Sequence, residues 1–413
     1  MLAFSAGLIF FACGFSIRLP KNITVNGTDI GGKTRAEALR VLRGNIENEL
    51  KQKSITVIGK QNKYVFSYPE IGYKDNLQNL LKTVRKNGVY TADVSYYLNG
   101  LNEIAAMICA DESAPMVEPY AVFNTDGEPF TYYEGSDGKT ADYSGLLRDV
   151  RASLGADFND VYVDVKTVKR TLSMNSVKYN TRLLSTFTTR YDGSNAPRAH
   201  NIRLASEKIN GTVLCNGESF SFNETVGQRT VERGFKSAKI IERGEFVDGV
   251  GGGVCQVSTT LFNAALLSGC DMTEFHQHSL AVSYVPPSFD AMVSGTYFDL
   301  KFENRTGYTL YIRAVTGRDY VTFNIYGRGD GASYGYSSVV KNNIPAPEEI
   351  TEDESLVKEG RDGTVSEGYL TVTRNGVSVT KLFRRDKYAP LKRVVLKADG
   401  EEETGDTGEA GEI

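Results

Sequence analysis

The sequence predicts an α+β protein of several domains, and three observations carry that expectation. Strand and helix periodicities follow one another as strands, helix and strands, not as the strict alternation that builds a doubly wound sheet. At 413 residues the chain is long enough for two or three domains, each burying its own core. Pro, Asp and Glu gather in residues 342–355, which read as a linker ahead of a small β-rich module at 356–398.

Taken in order, MLAFSAGLIFFACGFSI is an unbroken apolar run ending before Arg18, and residues 1–18 are expected to be a single-pass membrane anchor. The run is short for a span and lacks the positive n-region of a signal peptide, so upstream lysines would belong to a longer form of the sequence. A buried core helix is the alternative. An anchor here would place everything after Arg18 outside the cytoplasm. Thr34 then caps a helix in which Ala38, Leu39, Val41, Leu42, Ile46 and Leu50 return at helical spacing. Strands are expected at SITVIG and KYVFSYP, helices over Asp75 to Lys86 and Ser144 to Leu154, and a strand at VYVDVKTV.

Tyr191 to Pro197 reads as a polar turn into the next domain. Ile202, Ala205 and Ile209 mark a helix that Gly211 closes. SFSF alternates as a strand, with a loop from Asn223 to Gly227. A helix opening at the GVGGGVC run is followed by expected strands at LAVSYV, TYFDLKFEN and YTLYIRA, and residues 317–327 continue the sheet. Asn375-Gly376 between two alternating runs signals a hairpin. The acidic, Gly-rich residues 399–413 are expected to be disordered.

Composition excludes little but points away from nucleic acid. A net charge of −4 supplies no basic footprint, and 40% hydrophobic with 24% charged residues is ordinary for a globular chain. The five cysteines form no CxxC or zinc-ligand pattern, so neither cofactor nor metal is expected. A disulfide among Cys109, Cys215 and Cys270 is open outside the cell, with free thiols the default for Cys215 and Cys270.

The chemistry concentrates at Cys255. Four glycines within five residues lead it into the first turn of a helix, where free N–H groups and the helix dipole favour a thiolate. Two of the chain's three histidines, His276 and His278, follow about twenty residues later, which makes a Cys-His nucleophile the leading reading. Val257, Leu261 and Ala265 at helical spacing allow a plainer one, a small buried cysteine inside a non-catalytic binding module. A phosphate cradle lacks its Lys-Ser/Thr ending. A metal-dependent hydrolase with Cys255, His276 and His278 as zinc ligands is a third reading, because an H-x-H pair on a strand shares a face.

The pieces FTTRY, RAHNIRLASEKINGTVL, NGESFSFNETVGQRTVERGF, GVGGGVCQVSTTLFNAALL, HQHSLAVSYVPPSFDAMVSGTYFDLKFEN and GYTLYIRA, in this order, closely resemble the VanW-domain family. The resemblance runs through most of residues 183–314, within an α+β domain set at 183–327. Upstream, ITVNGTDIGGKTRAEALRVL, YVFSYPEIGYKDN and YYEGSDGKTADYSGLLRDVRASL make residues 20–172 similar to the peptidoglycan-binding domains that commonly precede L,D-transpeptidase and VanW domains. VKEGRDGTV and GYLTVTRNGVSVTKLFRRD resemble small β modules that end many Gram-positive cell-wall proteins.

The family is associated with vancomycin-resistance clusters, and some members are regarded as cysteine L,D-transpeptidases of peptidoglycan. The resemblance therefore implies a wall-facing protein acting on peptidoglycan stem peptides. Cys255 would be the nucleophile and His278, in HSLAVSYVPP, the base, with His276 less constrained. Asp290, otherwise a turn residue, or Ser279 would fix the imidazole tautomer. Backbone N–H groups around Gly253, Val254 and Cys255, and the side chain of Gln256, would stabilise an oxyanion. Arg203, Arg229 and Arg233 could meet stem-peptide carboxylates.

Overall fold

The structure, a computed structural model, describes residues 17–242, 245–295 and 297–397. The expected anchor, apart from Ile17 and Arg18, lies outside the described residues, as do Cys13 and the acidic tail. Among the described residues no helix is long and apolar enough to cross a membrane. Helices and sheets are mixed throughout, and the chain divides into two compact units. One joins residues up to Glu118 with Gly135–Thr171, and the other joins Pro119–Glu134 with everything from Leu172 onward.

In the first unit, Thr34 and Glu37 form a reciprocal capping box that starts the helix Arg35–Leu50. It buries Ala38, Leu42 and Leu50, while Val41 lies outside. The helix expected over Asp75 to Lys86 is only Leu77–Thr83. Asp75 instead ends the strand Ile71–Asp75, paired with Val94–Leu98, and Val84 turns to extended backbone. Asp142 caps the helix Tyr143–Leu154 through the Gly145 N–H. Periodicity passed over the helix Leu101–Glu112, whose Glu112 carboxylate is buried to accept the N–H groups of Lys60, Gln61 and Asn62.

The second unit is built on a four-stranded antiparallel sheet, ordered Arg182–Arg190, Tyr320–Gly327, Leu310–Thr316, Thr212–Leu214. Helices Ala196–Ile209 and Val254–Leu267 pack on it, because Ile202, Ala205, Ile209, Val257, Leu261 and Phe262 share one core with the sheet residues Ile312, Val321 and Phe323. The turn expected to reach Pro197 is shorter, since Asn195 already caps the first of these helices. Asn223–Gly227 is mostly a short helix, Phe222–Val226, capped by Ser221.

Two expected strands change character. LAVSYV is irregular chain, since Pro286 and Pro287 follow it and the His278 N–H before it is drawn to a carboxylate, not a ladder carbonyl. TYFDLKFEN forms strand only at Lys301–Glu303. Residues 342–355, expected as a linker, contain the end of the strand Ser333–Ile344, the strand Glu348–Thr351 and a short 3-10 turn. The C-terminal module therefore begins at Ser333. Its strands Ser333–Ile344, Gly363–Arg374 and Val377–Tyr388 form one antiparallel sheet, with the expected turn at Asn375-Gly376, both at positive φ.

Candidate active site

Cys255 is the second residue of the helix Val254–Leu267, and the glycines before it have steric causes. Gly253 sits at φ +105°, and a Cβ there would meet Ile202 and Arg198 side-chain carbons at 3.0 and 3.1 Å. A Cβ on Gly252 would lie 2.6 Å from the Lys239 carbonyl oxygen. The hairpin Ser237–Glu242/Glu245–Val250 and the helix Ala196–Ile209 thus both press on the turn that delivers the thiol. Asn201, fully buried, ties them together by donating to the Lys236 and Gly252 carbonyls.

Cys255 is half-buried, and its Sγ lies 3.3 Å from the Val293 carbonyl oxygen. The His278 imidazole hydrogen-bonds the thiol on one side. On the other, its Nδ1 is 2.6 Å from Asp290 Oδ2, which also accepts the His278 backbone N–H at 2.7 Å. With Nδ1 on the carboxylate, Nε2 is the nitrogen left for sulfur. His278 is 4% and Asp290 1% exposed, so these interactions act with little solvent between them.

The charges follow from this arrangement. Burial opposes a charged His278, but the hydrogen bonds and charges of Asp290 and Cys255 outweigh it and push the imidazole up to about 9. Burial would also raise the Cys255 thiol. The hydrogen bond and charge of His278, the Val293 backbone and the charge of Arg229 reverse this and hold it below its ordinary range. Asp290 is likewise kept low, against its burial, by His278 and Tyr388. The geometry favours a thiolate–imidazolium pair oriented by a carboxylate, an arrangement able to attack an acyl carbon and return a proton.

Sequence reasoning missed what holds Asp290. Tyr388, fully buried on the last long strand of the C-terminal module, donates its hydroxyl to Asp290 Oδ1 at 2.5 Å, and Arg384 Nη1 donates to the Asp290 carbonyl at 3.0 Å. From below, Ser258 and Thr259 bond the Ala291 backbone, and Asn263 donates to the Phe289 carbonyl. The only signal available was the run of polar residues STT and Asn263 within an otherwise apolar helix.

Other expected residues fall differently. His276 is not at the thiol, since its Nε2 meets Glu274 at 3.2 Å and its ring packs on Phe298. Among the described residues no three Cys, His, Asp or Glu side chains converge as a metal site, so the zinc set of Cys255, His276 and His278 does not assemble. Ser279 is exposed, its carbonyl accepting from Ala389 N–H, and Asp290 takes the tautomer-fixing place. Gln256 is buried with its amide donors on Thr189 and the Arg190 carbonyl, so its side chain offers none to an oxyanion. Val254 and Gln256 N–H groups close on Gly251 and Gly253 carbonyls. Those of Gly253 and Cys255 have no partner among the described residues. The four described cysteines are free thiols, and burial pushes Cys270 up to about 11.

Above the thiol opens a cavity of about 730 Å³, walled by Arg198, Arg229, Tyr284, Tyr297 and Arg361 among others. Its size suits a peptide-sized ligand.

Residues 197–326 match the family model described as VanW like protein. Over 135 residues the chain is 44% identical to a Bacillus subtilis (strain 168) protein described as uncharacterized protein YoaR, covering 33% of this chain and 45% of that one. Over 120 residues it is 29% identical to the vancomycin B-type resistance protein VanW of Enterococcus faecalis (strain ATCC 700802 / V583), covering 28% and 44%. The matches thus span under half the length of either relative. A solved structure described as the crystal structure of HP0197-G5 aligns at 25% identity over 16% of this chain and 97% of its own, with a TM-score of 0.11, too low to bear on the fold.

Proposed function

We propose that this chain, which carries a VanW-like domain, is a cell-wall protein that rearranges peptidoglycan stem peptides as a cysteine L,D-transpeptidase. One observation carries the reading: Cys255, His278 and Asp290 stand in hydrogen-bonded series at the foot of an open cavity. The vancomycin-resistance relative supports the wall as the setting. The chain's substrate is then outside the cytoplasm, with peptidoglycan as partner.

In the reaction, Cys255 sulfur attacks the amide carbonyl that follows an L-centre in the donor stem. The C–N bond breaks, and the proton held by His278 passes to the departing amine. A thioester remains. The amine of a second stem then attacks it, His278 takes that amine's proton, and the thiolate is released. Developing oxyanion charge falls near the free N–H groups of Gly253 and Cys255. Asp290 holds the imidazole tautomer throughout.

Incubating the purified ectodomain with disaccharide-tetrapeptide, followed by mass spectrometry, tests this. Dimers with loss of the terminal D-residue are expected, together with an acyl adduct on the Cys255 peptide. Undiminished dimer formation by Cys255→Ala would return the domain to a binding role.

A further inference from the structure

Besides His278, the cavity over Cys255 is lined by Arg198, Arg229, Lys239 and Arg361, and among the described residues by no Asp or Glu. Lys239 already meets Asp248 at 3.1 Å, and Arg361 lies exposed at the edge. The two half-buried arginines differ from both. Arg229 Nη2 is held at 2.6 Å by the side-chain oxygen of Asn223, and Arg198 Nη2 at 2.9 Å by that of Gln256, itself anchored on Thr189 and Arg190. Neither forms an ion pair among the described residues, and the one carboxylate whose charge acts on Arg229, Asp299, is itself taken up by the Ser221 hydroxyl and the Asn223 N–H. Amide oxygens fix the direction of a guanidinium without neutralising it, so each charge is aimed and still available.

Arg229 lines the same cavity wall as Gly251, Gly253 and Cys255, its side chain lying against the Gly251 turn that leads to the thiol, and its charge favours the Cys255 thiolate. In a peptide cut one residue from its end, the terminal carboxylate is three bonds from the acyl carbon, no more than about 4 Å away. Resting on the acyl-transfer reading above, we propose that Arg229, supported by Arg198, binds the free carboxylate of the amino acid that leaves the donor. The site then takes donors that end one residue beyond the scissile amide and rejects those whose terminus is masked. Arg203 and Arg233, the other arginines considered from sequence, do not line this cavity.

The test separates binding from turnover. With Cys255→Ala protein, disaccharide-tetrapeptide ending in D-alanine is titrated calorimetrically as the free acid and as its terminal carboxamide. A charge-assisted bidentate contact implies at least about tenfold tighter binding of the acid. Adding Arg229→Gln should bring the two forms level, and Arg229→Lys should restore part of the difference. Equal affinities with Arg229 intact, a preference that survives Arg229→Gln, or no binding of either form would overturn the proposal. A clear preference for the acid in a protein whose Cys255 never forms a thioester would instead sink the acyl-transfer reading and leave the carboxylate site standing.

Discussion

The imidazole of His278 lies between a carboxylate and a thiol, and both raise its affinity for a proton. That makes the acidity of Cys255 a property of the pair. Iodoacetamide alkylation of Cys255 should therefore reach half its maximal rate well below the free-thiol value of about 8.5. In His278→Gln it should move back toward that value, and an unchanged profile would show that the helix start alone sets the thiol. His278 also gives stability a pH dependence of definite sign. Its folded value of about 9 exceeds the unfolded value of about 6.5, so its stabilisation is complete below the latter and lost as pH rises through the former. The Tm difference between wild type and His278→Gln should thus narrow from pH 6.5 to 9. Turnover should fall over the upper part of the same range, as the proton for the leaving amine is lost. A Tm difference that widens would contradict the assignment.

At the scale of elements, the helix Val254–Leu267 explains what sequence could and could not disclose. Its glycine lead-in, Cys255 and the two histidines after it were legible as local chemistry, whereas the choice of His278 came from the resemblance to the VanW-domain family and Asp290 stood open as a turn residue. Ser258, Thr259 and Asn263 received no part in the sequence reading, yet all three are buried struts carrying the Phe289–Ala291 backbone. Tyr388 lies 98 residues from Asp290, and only the fold reveals that they touch. Tyr388→Phe removes one hydrogen bond to a buried carboxylate and keeps the ring. Such a bond contributes about 1.5–3 kcal/mol, so a ten- to hundredfold loss of acylation rate is expected, with the near-UV spectrum unchanged. Wild-type acylation in that variant would make the contact merely structural. Gly252→Ala attacks the same site from its other end. Its Cβ would lie against the Lys239 carbonyl, a backbone atom that cannot swing aside. Overpacking of this kind costs about 1–3 kcal/mol, and thermal melting should fall accordingly.

Across the whole molecule, the site belongs to the second unit alone, and that unit reaches further along the chain than composition suggested. Pro, Asp and Glu at residues 342–355 read as a linker because strands on a sheet margin tolerate such residues. In fact the C-terminal strands wall in the segment that carries Asp290. Tyr336 stacks on Phe289 at 4.0 Å, Ser338 donates to the Pro287 carbonyl, Ser366 meets Ser288, and Phe383 lies against Phe275. Ending the chain at residue 331 would remove all of these with Tyr388 and Arg384, leaving Asp290 with His278 as its remaining side-chain partner. A carboxylate opened to water orients an imidazole less firmly and raises its pKa less. The truncated chain is therefore expected to alkylate Cys255 at higher pH, to bind more of a dye specific for exposed apolar surface, and to lose stem-peptide acylation. Hydrogen exchange of residues 286–293 should accelerate, whereas the sheet strand Tyr320–Gly327, paired on both sides without the module, should keep its protection. Retention of both the low alkylation pH and acylation would mean that the module decorates the domain without completing its site.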